Sequence, residues 1–226
     1  ESELLDWVNA STEEYPIILP AGLNDLVEIL PRSMICWAGF PNAGKTSFLL
    51  ETVRLNMNRF KINYFTSELG PGKLRKRLEL FSNVLFPEGW KFTAWYRVEN
   101  FADAIKQFPN DLSIIDYIEE TANSYLVAKY MRDVYNQLDK GVAVVAIQKK
   151  LGSNVGWGGE GSLQIPSLYL AVEGGWIKIV KAKEWRDGIE NPNGKIRPFK
   201  LRHGAEFEMT GEWRSQDELD AIKEPH

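Results

Sequence analysis

The chain has 226 residues, 44% of them apolar and 26% charged. At about 150 residues per domain, this fits one large domain, or one domain with appendages. Eight Trp, eleven Phe and eight Tyr exclude a disordered chain, and a net charge of −4 excludes a globally basic coat for nucleic acid, though not a local basic channel. A single cysteine, Cys36, excludes an internal disulfide framework; its apolar neighbours mark it as a buried, inert thiol. No apolar run approaches the ~18 residues of a membrane span. The acidic start, Glu1 to Asp6, lacks the basic and apolar regions of a signal peptide, so a cytoplasmic protein is expected and the Asn9-Ala10-Ser11 sequon carries no glycan. His203, His226 and one Cys make no metal-ligand cluster.

Residues 1–20 read as a short helix followed by an extended lead-in containing Pro16 and Pro20, a linker or docking arm. Ser33 to Ala38 is a short apolar run, hence a buried strand. Lys45 to Asn58 reads as a buried helix and Ile62 to Thr66 as the next strand. Pro71 opens a helix at a favoured first-turn position, with Leu74, Leu78 and Phe81 on one apolar face. A strand over Phe92 to Val98, a helix over Phe101 to Phe108, a buried strand over Leu112 to Asp116, a helix over Ser124 to Leu138 and a strand over Gly141 to Ile147 follow. This alternation predicts an α/β fold with a parallel sheet covered on both faces. After a glycine-rich stretch at 152–161, the runs Leu168 to Val172, Trp176 to Ala182, Arg197 to Leu201 and Glu206 to Met209 read as hairpin strands extending the sheet antiparallel. The main domain is placed at 21–213 and a polar tail at 214–226.

The strongest motif is Gly39-Phe40-Pro41-Asn42-Ala43-Gly44-Lys45-Thr46, which fits G-x-x-x-x-G-K-[ST] and lies between a strand and a helix, the context it requires. Gly39 and Gly44 let the backbone curl around an anion. The loop N–H groups, those of Pro41's neighbours Asn42 and Ala43 through Ser47, face phosphates at the positive end of a helix. Lys45 supplies a cation to the β- and γ-phosphates, and the Thr46 hydroxyl a ligand for Mg²⁺. ATP and Mg²⁺ are therefore the expected ligands.

Three further polar residues close apolar strands. Asp116 points into the crevice where parallel sheets bind ligands, and its work is to hold Mg²⁺ directly or through water. Glu68 follows the Ile62 to Thr66 strand, which is expected to sit beside that of Asp116. It is read either as the group that polarises an attacking water or as a carboxylate favoured by a helix N-terminus. Gln148 ends the Val142 to Ile147 strand and can donate to a γ-phosphate. The absence of Asn-Lys-x-Asp speaks against a GTPase, and the absence of an arginine-rich lid against a small-metabolite kinase.

The succession Gly39 to Thr46, then Tyr64-Phe65-Thr66-Ser67-Glu68-Leu69, then Ile114-Ile115-Asp116-Tyr117, then Ala146-Ile147-Gln148 resembles the RecA-like P-loop ATPase core of the DnaB-type replicative helicases, especially helicase-like proteins of phages and prophages. The resemblance spans Gly22 to Met209. It implies an ATP-dependent DNA helicase in which Glu68 is the catalytic glutamate, Asp116 with Thr46 serves Mg²⁺, and Gln148 is the sensor. Lys183 and Arg186, in Lys183-Glu184-Trp185-Arg186, resemble the pair that reaches a neighbour's ATP, one residue further apart than the usual Lys-x-Arg. On residues alone they also fit a solvated hairpin tip.

The resemblance further implies that the 149–161 loop, with Lys149, Lys150, Ser153, Asn154 and Trp157, grips single-stranded DNA in a hexameric ring. A flexible hairpin or a subunit contact fits the same residues. An acidic chain needs such a ring to concentrate its cations. Primase or other replication proteins are the implied partners. The alternatives are a nucleotide-controlled DNA-binding or assembly module without unwinding, similar to recombinase or clock-protein relatives, and a helicase domain from a primase-helicase fusion with residues 1–20 as linker. The basic run Lys73 to Arg77 reads as a solvated helix face.

Overall fold

The computed structural model describes residues 6–118 and 125–223. In chain order the elements are β1 (Ser33–Gly39), α1 (Lys45–Asn56), β2 (Ile62–Thr66), α2 (Pro71–Leu78), β3 (Thr93–Tyr96), α3 (Phe101–Ile105), β4 (Leu112–Ile118), α4 (Tyr125–Asn136), β5 (Val142–Gln148), α5 (Glu160–Gln164), β6 (Leu168–Glu173), β7 (Trp176–Ala182), β8 (Ile196–Arg202), β9 (Glu206–Met209) and α6 (Gln216–Lys223). The strands form one sheet in the order β3-β2-β4-β5-β1-β6-β7-β8-β9. The first six in that order run parallel and the last three are added antiparallel. The fold is α/β with a mostly parallel central sheet.

The central strands are continuous apolar runs because both faces are covered. Alternate side chains of β1 divide between two cores. Ile35 and Trp37 join the core under α1 and α2 with Phe48, Leu49 and Tyr64. Met34, Cys36 and Ala38 join the core under α3 and α4 with Phe65, Val127 and Met131. Trp37 stacks on Phe48 at 3.6 Å between centroids, which seats α1 directly over β1. That seating fixes where the turn between them, residues 40–44, must lie.

Several expectations from sequence need correction. β6 was expected to be antiparallel but pairs parallel with β1, Ile35 opposite Leu168 through Gly39 opposite Val172. The glycine-rich stretch before it runs into α5, whose five residues are too few to register as a helical period. It carries the chain back to the starting edge of the sheet, so β6 runs in the same direction as β1. The lead-in has no helix among described residues 6–19, and it is not a free arm beyond Glu14. Tyr15, Ile17 and Leu19 are buried, and Asn56 on α1 binds both the N–H and the carbonyl of Ile18, at 2.8 and 2.7 Å. Residues 216–223, read as polar tail, form α6 behind a Ser215–Glu218 capping box in which each residue accepts the other's backbone N–H. The helix expected from Ser124 is observed from Tyr125, since Ser124 lies outside the described residues.

Among the described residues, no helix is long and apolar enough to cross a membrane.

Candidate functional site

The C-terminal tips of β1, β5, β4 and β2 lie side by side, and the residues singled out from sequence sit on them. The phosphate-loop motif spans the turn from β1 into α1. Asn42 has φ 62° and Gly44 φ 94°, so the loop closes through two left-handed residues. A Cβ on Gly39 would lie 2.5 Å from Lys45 Cγ, so any larger residue there would displace the Lys45 side chain. No side chain caps α1 at Gly44, so its first-turn N–H groups are left to the loop's concavity. Lys45 Nζ lies 3.3 Å from the carbonyl oxygens of Gly39 and Phe40 and 5.6 Å from the centroid of the Tyr117 ring. Burial holds its pKa below the ordinary value, against the pull of Asp116 and Glu68.

β2 and β4 are paired with Thr66 opposite Asp116, as expected from sequence, so Glu68 and Asp116 share one rim. Asp116 is 1% exposed. Tyr64 donates its hydroxyl to Asp116 Oδ2 at 2.5 Å, while Oδ1 makes no hydrogen bond. Burial raises the carboxyl's pKa; Tyr64, Thr46 and Lys45 pull it back, and Glu68 adds to the rise. Burial and the same carboxylate push the Tyr64 phenol well above its ordinary range. Gln148 donates from Nε2 to the Tyr117 hydroxyl at 2.8 Å. An open cavity of about 280 Å³ is lined by Pro41, Asn42, Gly44, Lys45, Thr46, Ser47, Glu68, Tyr117 and Gln148, together with Arg77, Leu201 and Gly204. A larger cavity, about 400 Å³ between α3 and α4, contains none of these residues. Chemistry, not size, selects the site.

Thr46 and Asp116 fit a magnesium site. A buried carboxylate oxygen without a hydrogen-bond partner and a hydroxyl beside it are oxygen donors of the kind Mg²⁺ takes when phosphate oxygens and water complete its shell, with Lys45 left to the phosphates. Among the described residues, no group of three or more His, Cys, Asp or Glu could hold a metal unaided, and a site shared with phosphates needs none.

Other expected site residues are placed differently. The Ser47 hydroxyl is committed to the Gly204 carbonyl at 2.9 Å. Lys183 and Arg186 follow β7, whose end pairs with the start of β6, so they lie at the opposite edge of the sheet from the chain's own cavity. Lys183 is exposed, with Nζ 3.5 Å from the Ile165 carbonyl. Arg186 is bound by Glu14 at 2.9 and 3.0 Å, by Glu28 at 3.7 Å and by the Asn24 carbonyl. In the 149–161 loop, Lys149 was expected to face DNA. Its side chain is instead fully buried, paired with Glu173 and donating to the Ser153 carbonyl at 2.7 Å. Trp157 is half-buried against the α4-side core, leaving Lys150 and Asn154 exposed on the loop.

Sequence reasoning missed Arg77, Tyr64 and the tip of the β8–β9 hairpin. Arg77 belongs to a run that does face solvent, yet α2 projects this one guanidinium to the cavity rim, 3.4 Å from the Gly204 carbonyl. Its position three residues after Leu74 offered little to tell it from its neighbours. The hairpin tip reaches the loop through long-range pairing that no local pattern encodes.

No family model matches the chain, and no curated protein sequence matches it significantly.

Proposed function

We propose that this chain is a RecA-like, ATP-hydrolysing motor of the DnaB helicase type that moves on single-stranded DNA as a ring. The observation that carries the nucleotide part is the convergence of Lys45, Thr46, Glu68 and Gln148 on one cavity from adjacent strand tips, with the buried Asp116 on β4 interacting with Lys45 and Thr46. Lys45 is placed to stabilise charge on the γ-phosphate, and the loop N–H groups to hold the β-phosphate. Glu68 stands on the rim where a carboxylate can orient water for in-line attack. Magnesium bound by Thr46 and Asp116 supplies neutralisation of the phosphate oxygens. Gln148 is placed to exchange its bond with Tyr117 for one with the γ-phosphate.

The motor part rests on the motif succession and on the position of the 149–161 loop. Lys149 N–H donates to the Gly39 carbonyl at 3.2 Å, so the loop starts at the phosphate cradle itself. A second reading, a nucleotide-controlled assembly module that does not unwind, is favoured by the burial of Lys149, which leaves Lys150 as the loop's exposed cation.

The test is ATP turnover with and without single-stranded DNA, alongside displacement of a strand from a forked duplex. DNA-stimulated turnover with displacement supports the motor. Turnover without displacement supports the second reading, and no ATP binding removes both.

A further inference from the structure

The carboxylate of Asp116 is buried, and it is held by a residue the chemistry above does not use. On β2, Ile62 and Tyr64 face the α1-side core, and on β4 Ile114 does the same, with Asp116 two residues further along that face. Tyr64 is directly opposite Ile114, so Asp116 is its diagonal neighbour. An offset of two residues along the neighbouring strand, at about 3.3 Å per residue, is within reach of a long aromatic side chain and beyond a serine or threonine. Tyrosine therefore spans the gap and ends in a donor. Phenylalanine would fill the same space and leave Oδ2 without a partner.

The ring itself cannot wander. Tyr64 is fully buried, and Phe92 meets it edge-on with centroids 5.9 Å apart. Phe92 is held by Trp90 at 5.9 Å, and Trp90 by Phe81 at 5.3 Å. The hydroxyl is thus fixed by a row of aromatic contacts, and through the 2.5 Å bond it fixes the carboxylate. One oxygen is occupied, and the other, Oδ1, is held in place with no protein hydrogen bond.

We propose that Tyr64 is a positioning residue for the magnesium site, holding Asp116 by Oδ2 so that Oδ1 is presented to the metal. The proposal rests on the ATPase reading. It assigns Tyr64 a task that a merely space-filling core tyrosine lacks. Carboxylate ligands are oriented by such outer partners, and removing the partner typically costs 10–100-fold in metal affinity.

The experiment uses the whole chain and Tyr64→Phe, which keeps the ring and its packing. Binding of a fluorescent, non-hydrolysable ATP analogue is titrated with Mg²⁺ and repeated in EDTA. The proposal expects the Mg²⁺ half-saturation point to rise about 10-fold in Tyr64→Phe, with analogue affinity in EDTA unchanged. In an Asp116→Asn background, Tyr64→Phe should cause no further change, since the hydroxyl acts only through that carboxylate. An unchanged Mg²⁺ half-saturation in Tyr64→Phe, with normal Mg²⁺-dependent binding in the wild type, overturns the positioning role and leaves the ATPase reading standing. Equal weakening with and without Mg²⁺ also overturns it, since that marks a packing defect. Wild-type protein that binds no nucleotide overturns the ATPase reading and the proposal with it.

Discussion

Thr66 and Asp116 stand opposite one another across the parallel β2–β4 ladder, and the next residue, Ser67, donates its N–H to the Asp116 carbonyl at 3.1 Å. The chain leaving β2 is therefore tied to β4 before it reaches Glu68. That tie puts two carboxylates on one rim with different surroundings, Asp116 buried and Glu68 exposed. Glu68→Gln preserves shape and removes the carboxylate proposed to orient water. ATP binding should persist within a few-fold, while turnover falls by about 10²–10⁴. Single-turnover hydrolysis set beside equilibrium binding checks this, and normal turnover in the variant takes Glu68 out of the mechanism.

Asp116 is expensive to keep. Its carboxyl is buried with one oxygen lacking a hydrogen bond, an arrangement that costs stability. Asp116→Asn keeps the Tyr64 hydroxyl's acceptor and removes the charge. The variant should be more stable than wild type by about 0.5–2 kcal/mol in urea unfolding without ligand. With Mg²⁺ and a non-hydrolysable ATP analogue the order should reverse, because only the wild type gains stability from the bound metal. A variant less stable than wild type in both conditions contradicts this.

Much of this was legible in the sequence because it is local. The phosphate loop is contiguous, Asp116 and Gln148 close apolar runs, and alternation of strand and helix announces a parallel sheet. Pairing was not legible where it depends on strands distant in sequence. Lys149 looks like a free loop cation until β6 is set beside β1, which brings Glu173 to it. β6 itself was misread because α5 is too short to give a period. The aromatic row that holds Tyr64 draws on the segment between α2 and β3, distant from β2 in sequence. Ser215-x-x-Glu218 is a local helix-start signal inside the stretch whose polarity reads as a tail.

Lys149 and Lys150 are adjacent and should behave as opposites. Lys149 has a fully buried side chain paired with Glu173, whose carboxylate also accepts the Gly152 N–H at 3.2 Å. Lys149→Met strands that carboxylate and should cost about 3–5 kcal/mol. Adding Glu173→Leu should recover most of the loss. Lys150→Ala should change stability by under about 0.5 kcal/mol, yet lower single-strand affinity and reduce the salt slope by about one charge per bound subunit. Urea unfolding and salt-dependent fluorescence anisotropy separate the two. If Lys150→Ala leaves DNA binding and its salt slope unchanged, the loop is not the grip.

Lys183 and Arg186 divide in the same way. Arg186 is clamped by Glu14, Glu28 and the Asn24 carbonyl, and its own N–H donates to the Leu26 carbonyl at 3.1 Å. It fastens the lead-in to the end of β7. Because the pair is part-exposed, Arg186→Ala should cost only about 1 kcal/mol and should open residues 6–14 to protease. Lys183 is exposed, and among the described residues its side chain makes one long hydrogen bond, to the Ile165 carbonyl, which leaves it the better placed of the two for the trans role proposed above. Lys183→Ala should leave stability and protease resistance unchanged and still lower turnover in the assembled ring. Mixing Lys183→Ala subunits with Lys45→Ala subunits then decides the matter. Each should be impaired alone, but on the ring reading a mixed assembly would contain sites with Lys45 from one subunit and Lys183 from the next. Turnover should rise well above that of either parent on mixing. No recovery with Lys183→Ala, or recovery with Arg186→Ala in its place, refutes this division of labour.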